Sequence, residues 1–598
     1  MRRDDDSIVA LVLYGLLTVV LAWALVQNID SVLAGQNSDL HINLWADWWT
    51  KKALTEGLDL FHTDYLFYPQ GVSLAFHSFS HVNTVITLLL TPLVGHFAAY
   101  NATILLTFAL SGFSMYLLVE HLTGCRPAAF VAGLIFAFHP YHRFESAHPV
   151  IVTTQWMPLF ALALVRTVHG ENGRRGRNVV LTVLWFVLTA LSSWHLMFML
   201  LGWIGLYALY DLLVARNRWA RGTWQALAIS ALIAGLVLSP ILWPTVSEAL
   251  SSGKAYLSAE SDEGIGNDVL GFLVPNRANP LLYPPVARLV DINDQTSFTG
   301  KRSAYLGYVP LALTVVASAT AHRARFWVAG GLLSLLLSLG ARITFNSVPL
   351  HEASLPWAAP ITRVLRHPSR LNVLTFFFLS VAAGFGVRWV HRALGSRKLP
   401  FPEKSVAYAS TFVLAGLILV EYAVVPFPTM QLPYPPFLHE LAEEPGDFAV
   451  IDFPMGRQKG KRYQFYQTVH GKRIAGGHVS RKPDTADAFI DGNPLLERLD
   501  DEEAPGPSLD VREEFGNLAD HGFRYLIVHK RFLSSEDAQA WKSWFPFPPS
   551  HEDSWLIVYP IPAKPTTGAG TAPGTGSKRA DWLPPAAVAT MGSGRKLP

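Results

Sequence analysis

The chain has 598 residues, of which 50% are hydrophobic and only 16% charged, with a mean hydropathy of +0.26. A water-soluble protein of this size would carry about 25% charged residues, so the composition excludes an ordinary soluble enzyme and points to repeated crossing of a bilayer. The net charge of +3 says little as a total and nothing in it suggests a nucleic-acid partner, while the single cysteine, Cys125, excludes an intramolecular disulfide.

Met1-Arg2-Arg3 precedes an apolar run over 8–26. The run is longer than the core of a signal peptide and no small-x-small site follows, so it reads as a retained first helix. Further apolar runs cover 98–119, 128–138, 150–168, 179–191, 196–213, 224–246, 305–319, 326–339, 371–387 and 406–425. The run at 82–94 contains Pro92 and falls short of the ~17 residues needed to span.

Basic residues gather in short loops: Arg174, Arg175 and Arg177; Arg216, Arg218 and Arg221; Arg323 and Arg325; Arg388, Arg392, Arg397 and Lys398. All can face the cytoplasm together with Arg2 and Arg3 only if 82–94 turns back without crossing. The expected fold is an α-helical polytopic membrane protein of about eleven transmembrane helices, N-terminus cytoplasmic. The membrane part covers 1–425, a small external α/β domain 426–565, and a Gly/Pro/Ala/Thr/Ser-rich disordered tail 566–598. The α/β expectation rests on short β-like runs at 448–453, 525–529 and 555–559. No internal repeat of the transporter kind is present.

The first external loop contains Ser38-Asp39-Leu40-His41-Ile42-Asn43-Leu44-Trp45-Ala46-Asp47-Trp48-Trp49. Asp39, Asn43 and Asp47 recur every four residues and form one stripe on a helix. The tryptophans suit the headgroup level. The pattern predicts an interfacial helix whose carboxylates face the protein and whose tryptophans face lipid. Asp39 is then either a helix cap or a general base at the membrane surface.

After this loop come Phe67-Tyr68-Pro69-Gln70-Gly71, His121-Leu122-Thr123-Gly124-Cys125-Arg126 and Phe136-Ala137-Phe138-His139-Pro140-Tyr141. In layout and in these motifs, over roughly the first 200 residues, the chain resembles the GT-C class of membrane glycosyltransferases of bacterial, polyprenyl-phosphate-sugar-dependent type. The resemblance implies a polyprenyl-phosphate sugar donor, a lipid, glycan or protein acceptor, and reaction on the outer face of the cell (inner) membrane. It implies that Asp39 is the base or acceptor-positioning group, with Asp47 a second carboxylate.

Other polar residues cluster at the expected outer ends. His41, Asn43, His77, His81, His142, Glu145, His148 and His195 are candidate cavity-lining residues. In the second external loop His139/His142 and Glu145/His148 have helical spacing, but Pro140 interrupts the first pair, so a polar rim is favoured over a metal. No cofactor is called for with certainty, and a divalent cation is left open. Arg363, Arg366 and Arg370 break the positive-inside pattern, and with Arg143 they are the candidate ligands of a donor phosphate. Lys254 and Tyr256 are weaker candidates for the same task.

Two rivals remain at this stage. A lipid-linked-glycan transporter or flippase predicts charges at mid-membrane, and the apolar runs carry few. A non-catalytic cell-envelope scaffold predicts that Asp39 is dispensable.

Overall fold

The computed structural model describes residues 2–170, 175–251, 266–295, 297–300, 303–354, 367–396, 400, 402–502, 509–545 and 547–562. The expected tail over 566–598, Lys254, Tyr256, Arg363 and Arg366 lie outside these residues.

The first half of the chain is built of α1 (Arg2–Leu21), α2 (Asp39–Glu56), α3 (His81–Val94), α4 (His96–Thr123), α5 (Arg126–Phe138), α6 (Trp156–His169), α7 (Arg175–Ser192), α8 (Trp194–Leu209) and α9 (Arg221–Ser251). The helices α10 (Tyr308–Thr320), α11 (Arg325–Ser338), α12 (Asn372–Gly395) and α13 (Glu403–Glu421) follow. Five segments of the described residues are long and apolar enough to cross a membrane: His96–Thr123, Pro149–His169, Trp194–Val214, Arg221–Ser251 and Pro368–Gly395. The chain is thus a membrane protein. α4 and α12 are central, with Phe376, Phe377 and Phe378 fully buried. α9 is peripheral and leaves Leu232, Leu236, Trp243 and Leu250 exposed, a surface suited to lipid.

Small residues let the first helices approach. Tyr14 of α1 is fully buried, and a Cβ at Gly112 or Gly133 would lie 2.6 or 2.1 Å from its side chain. Its hydroxyl donates to the Phe130 carbonyl at 2.8 Å. Basic residues tie helix ends together: Arg126 pairs with Asp6 and Glu120, Arg175 lies over Gly222, and His391 meets Cys125. The short run at 82–94 becomes α3, whose 14 residues span only about 21 Å. Gly95, at φ 82°, turns the chain into α4, and a hydroxyl contact of 3.1 Å between Thr87 and Thr103 ties the two into a hairpin.

Beyond α13, Thr429–Met430 pairs antiparallel with Leu33–Ala34 of the first loop. There follow β1 (Ala449–Phe453), α14 (Arg457–His470), β2 (Arg473–Ile474), β3 (Phe523–His529), β4 (His551–Glu552) and β5 (Leu556–Pro560). They form one mixed sheet in the order β4-β5-β3-β1-β2, with β1 parallel to both of its neighbours. The buried apolar run Ala449–Phe453 is what a central parallel strand requires.

α2 departs from expectation. Its tryptophans do not face lipid: Trp45 and Trp49 are fully buried, stacked at 5.9 Å, and Trp48 is half-buried. α14 packs on α2, and the Trp45 Nε1–H donates to Gln467 Oε1 at 2.7 Å. A tryptophan edge buried among protein needs a protein acceptor, and α14 supplies one where the expected acceptor was the headgroup layer.

Candidate functional site

Asp39 is the first residue of α2, where a carboxylate is favoured by the helix dipole. Its side chain does not cap the helix. Oδ1 accepts from Lys461 Nζ at 2.6 Å, and Oδ2 lies 3.1 Å from His148 Nε2. His148 Nδ1 in turn forms an ion pair of 2.6 Å with Glu145 Oε2. Three separate segments therefore converge on one carboxylate: the first loop, the loop before α6, and α14.

The electrostatics follow from this geometry. Burial alone would raise the Asp39 carboxyl, but His148 and Lys461 more than offset it and hold it far below the usual carboxylate range. Burial alone would lower His148, but Glu145 and Asp39 raise it to about 9. The site is an alternating chain of charges, Glu145–His148–Asp39–Lys461, with Asp39 only 29% exposed and Lys461 10%.

The other candidates divide into groups. Asn43 donates to the Ala147 carbonyl at 2.8 Å and to Tyr100 Oη at 3.1 Å, so it holds the His148 loop against α2. Asp47 is buried and lies 3.2 Å from His96 Nε2, two helical turns from Asp39. Together Asn43 and Asp47 line a small pocket with Asn83 and Thr87. His77 is buried beside Trp45 and accepts from the Ser480 N–H at 3.3 Å. Burial pushes it down to about 4, opposed by the charge of Asp39.

His41 turns away from this centre. Its Nδ1–H donates to the Ser38 carbonyl at 2.8 Å and its ring meets the edge of Phe465. His81 stacks on Phe79. His142 sits between the carbonyls of Ala137 and Val152, each at 2.8 Å, and anchors the backbone. His195 accepts from Arg370 Nη1 at 2.5 Å, and Arg481 and His367 lie within electrostatic reach of it. Arg143 is 1% exposed, burial lowers it to about 10, and its Nη2 has no hydrogen-bond partner among the described residues. A buried guanidinium nitrogen of this kind is costly unless an acceptor reaches it. Among the described residues no group of three or more His, Cys, Asp or Glu is placed to hold a metal.

Sequence reasoning missed Lys461, His478 and Arg481. They lie in a segment whose composition is that of a soluble domain; the docking of α14 on α2 brings Lys461 to Asp39 and His478 within reach of its charge, while Arg481 comes near His195. The one available signal is Gly456-Arg457-Gln458-Lys459-Gly460-Lys461-Arg462, a cationic run opening a helix.

In overall structure the chain is similar to ArnT from Cupriavidus metallidurans. In the apo state the identity is 12%, covering 93% of this chain and 99% of that one, with a TM-score of 0.50. Bound to undecaprenyl phosphate the values are 12%, 93%, 99% and 0.51. The apo oligosaccharyltransferase of Archaeoglobus fulgidus also matches, at 12% identity over 88% of this chain and 70% of that one, with a TM-score of 0.49. The likeness to ArnT is one of fold and supports the GT-C fold class. No curated protein matches by sequence. The family described as "Domain of unknown function (DUF6311)" matches residues 8–401, and the chain belongs to that family.

Proposed function

We propose that the chain is a GT-C-type glycosyltransferase of the cell (inner) membrane that takes a sugar from a polyprenyl-phosphate donor and passes it to a lipid, glycan or protein acceptor on the external face. In this reading the basic loops are cytoplasmic, shorter apolar helices such as α1, α10 and α13 add crossings up to about eleven, and the domain containing α14 is external. The observation that carries the proposal is the ionised Asp39 held between His148 and Lys461 where three separate segments meet. The fold shared with ArnT, whose structure binds undecaprenyl phosphate, agrees with it.

The chemistry needs two things: a base for the acceptor hydroxyl and cations for the departing phosphate. Transfer forms the bond from the acceptor oxygen to the sugar's anomeric carbon and breaks the bond from that carbon to the phosphate oxygen. Asp39 takes the acceptor proton, and polyprenyl phosphate leaves. Paired with both cations Asp39 is a weak base. An arriving donor phosphate competes for the flexible Lys461 ammonium, which raises the basicity of Asp39 as the complex forms. Arg370, beside His195, is the second phosphate ligand. Tyr141 feels both Glu145 and Arg370, which sets the Arg370 group near the charge chain. Arg143 could join only after movement exposes it. Asp47, bound to His96, orients α2.

The test is glycan and glycolipid profiling of cells lacking the protein, complemented with wild type or Asp39→Asn. A product lost in the deletion, restored by wild type and not by the variant, is expected. Full rescue by the variant removes Asp39 as base, and an unchanged profile in the expressed deletion background removes the enzyme reading.

A further inference from the structure

A cleft of about 580 Å³, its mouth included, lies beyond the carboxyl ends of β1 and β2. That is the side of a parallel sheet on which open α/β domains hold ligands. Asp39 and its direct partners do not line it.

Two buried polar atoms in its wall have no hydrogen-bond partner among the described residues: Asp452 Oδ2 and His478 Nδ1. Both residues are only 7% exposed. Asp452 spends its other oxygen on His529, at 2.7 Å. The first residues of α14 also face the cleft. Gly456 has no side chain to cap that helix, so its leading N–H groups are donors to a ligand. Bare backbone forms part of the wall: a Cβ at Gly460 would meet the Gly477 carbonyl at 2.8 Å.

The first loop completes the cleft. The Phe67 N–H donates to the Gly476 carbonyl at 3.2 Å and the Tyr68 N–H to that of Ile474 at 3.1 Å, so the Phe67-Tyr68-Pro69-Gln70-Gly71 motif lies along β2. Phe67 lines the cleft with φ at 52°, a backbone conformation costly for a phenylalanine. Such strain is kept where the surroundings impose it, commonly at binding sites.

The lining selects a ligand class. Asp452 and Asp500 oppose an anion such as a phosphate, Arg457 and the helix N-terminus oppose a cation, and Lys482 and Asp487 pair with each other. A neutral polyol satisfies both, because each hydroxyl donates and accepts. Phe67 and Tyr463, each 3% exposed, are the aromatic residues of its wall.

We propose that this cleft between the first loop and the α14 domain binds a sugar ring of the acceptor and presents it to Asp39. The proposal rests on the glycosyltransferase reading. The cleft is next to the charge chain: Lys461 follows the cleft residue Gly460, and His478 lies within reach of the charges of both Lys461 and Asp39.

The test uses the full chain in lipid nanodiscs and saturation-transfer NMR with methyl glycosides of glucose, galactose, mannose, arabinose and N-acetylglucosamine. At least one glycoside receives saturation from wild-type protein. His478→Ala, which removes no hydrogen bond of that side chain at Nδ1, and Asp500→Asn at the rim each weaken binding about tenfold. Absence of binding by any of the five to folded protein overturns the proposal, as does binding that survives both cleft variants. Failure of the glycosyltransferase reading shows itself elsewhere, as an unchanged glycan profile with glycoside binding retained.

Discussion

Lys461 Nζ lies 2.6 Å from Asp39 Oδ1, although 422 positions separate the two residues in the chain. The contact joins α2, near the start of the chain, to α14, which follows the apolar helices. It makes Lys461 both a counter-ion of the proposed base and a tether between the two parts. Lys461→Met is expected to lower transfer about 10²–10³-fold, the cost of losing one preorganised group that stabilises developing charge. Lys461→Arg keeps the charge and is expected to retain more. The check is product formation with a radiolabelled polyprenyl-phosphate sugar in proteoliposomes. Equal activity of Lys461→Met and wild type would remove Lys461 from the site.

His148 makes the site sensitive to alkali. Its folded pKa, about 9, lies above the ordinary 6.5. A raised pKa contributes stability that is complete below about 6.5 and is lost as pH rises through about 9. Asp39 has the opposite sense: its carboxyl is depressed, so its contribution is present above the ordinary carboxylate value and is lost only in acid. The Glu145–His148–Asp39 linkage is therefore expected to loosen between pH 7 and 10. His148→Gln should abolish that alkaline limb in thermal unfolding curves and also shrink the acid limb, because His148 is one of the two groups that depress Asp39. A wild-type melting temperature that is flat across this window would contradict the assignment.

How much of this was legible in the sequence depends on which forces set each part. The stripe Asp39–Asn43–Asp47 was readable because helical spacing is local, and α2 does place all three on one helix. Glu145 and His148 were readable as a spaced pair, and they meet. Arg370 and His195 were read separately, each as an anomaly for its position, and their contact comes from packing of α12 near the start of α8. The environment of Trp45 was misread because an aromatic residue with a polar edge suits both a headgroup layer and a buried interface. Only the partner decides between them, and that partner, Gln467, is 422 residues away. Lys461 was invisible for the same reason.

Trp45 gives a direct measure of that interface. Trp45→Phe keeps most of the ring area but leaves the buried Gln467 Oε1 without its donor. A buried acceptor left unsatisfied costs about 1–3 kcal/mol. The expected result is faster proteolytic release of the domain containing α14, with the membrane part still folded. Trp48→Phe, at a half-buried position, is the matched control and should release it no faster than wild type. Indistinguishable release from the two variants would mean that the Trp45–Gln467 bond does not hold the domain down.

The α1 contact tests the membrane core independently of any function. Tyr14 fills the space left by Gly112 and Gly133, and its hydroxyl satisfies the Phe130 carbonyl. A methyl group at Gly112 would sit 2.6 Å from the tyrosine ring, which has no free volume to retreat into because Tyr14 is fully buried. Overpacking of this kind costs about 1–3 kcal/mol, so Gly112→Ala should lower the unfolding midpoint in detergent. Tyr14→Phe in the Gly133→Ala background should recover a small part of the loss there, because at Gly133 the hydroxyl oxygen is one of three clashing atoms, beside the ring carbon that bears it and the Gly112 carbonyl, whereas at Gly112 the clash is with the ring alone and the same removal should recover nothing. Equal recovery in both backgrounds would show that α1 relaxes as a rigid rod and that the two glycines are not read separately by the two ends of one side chain.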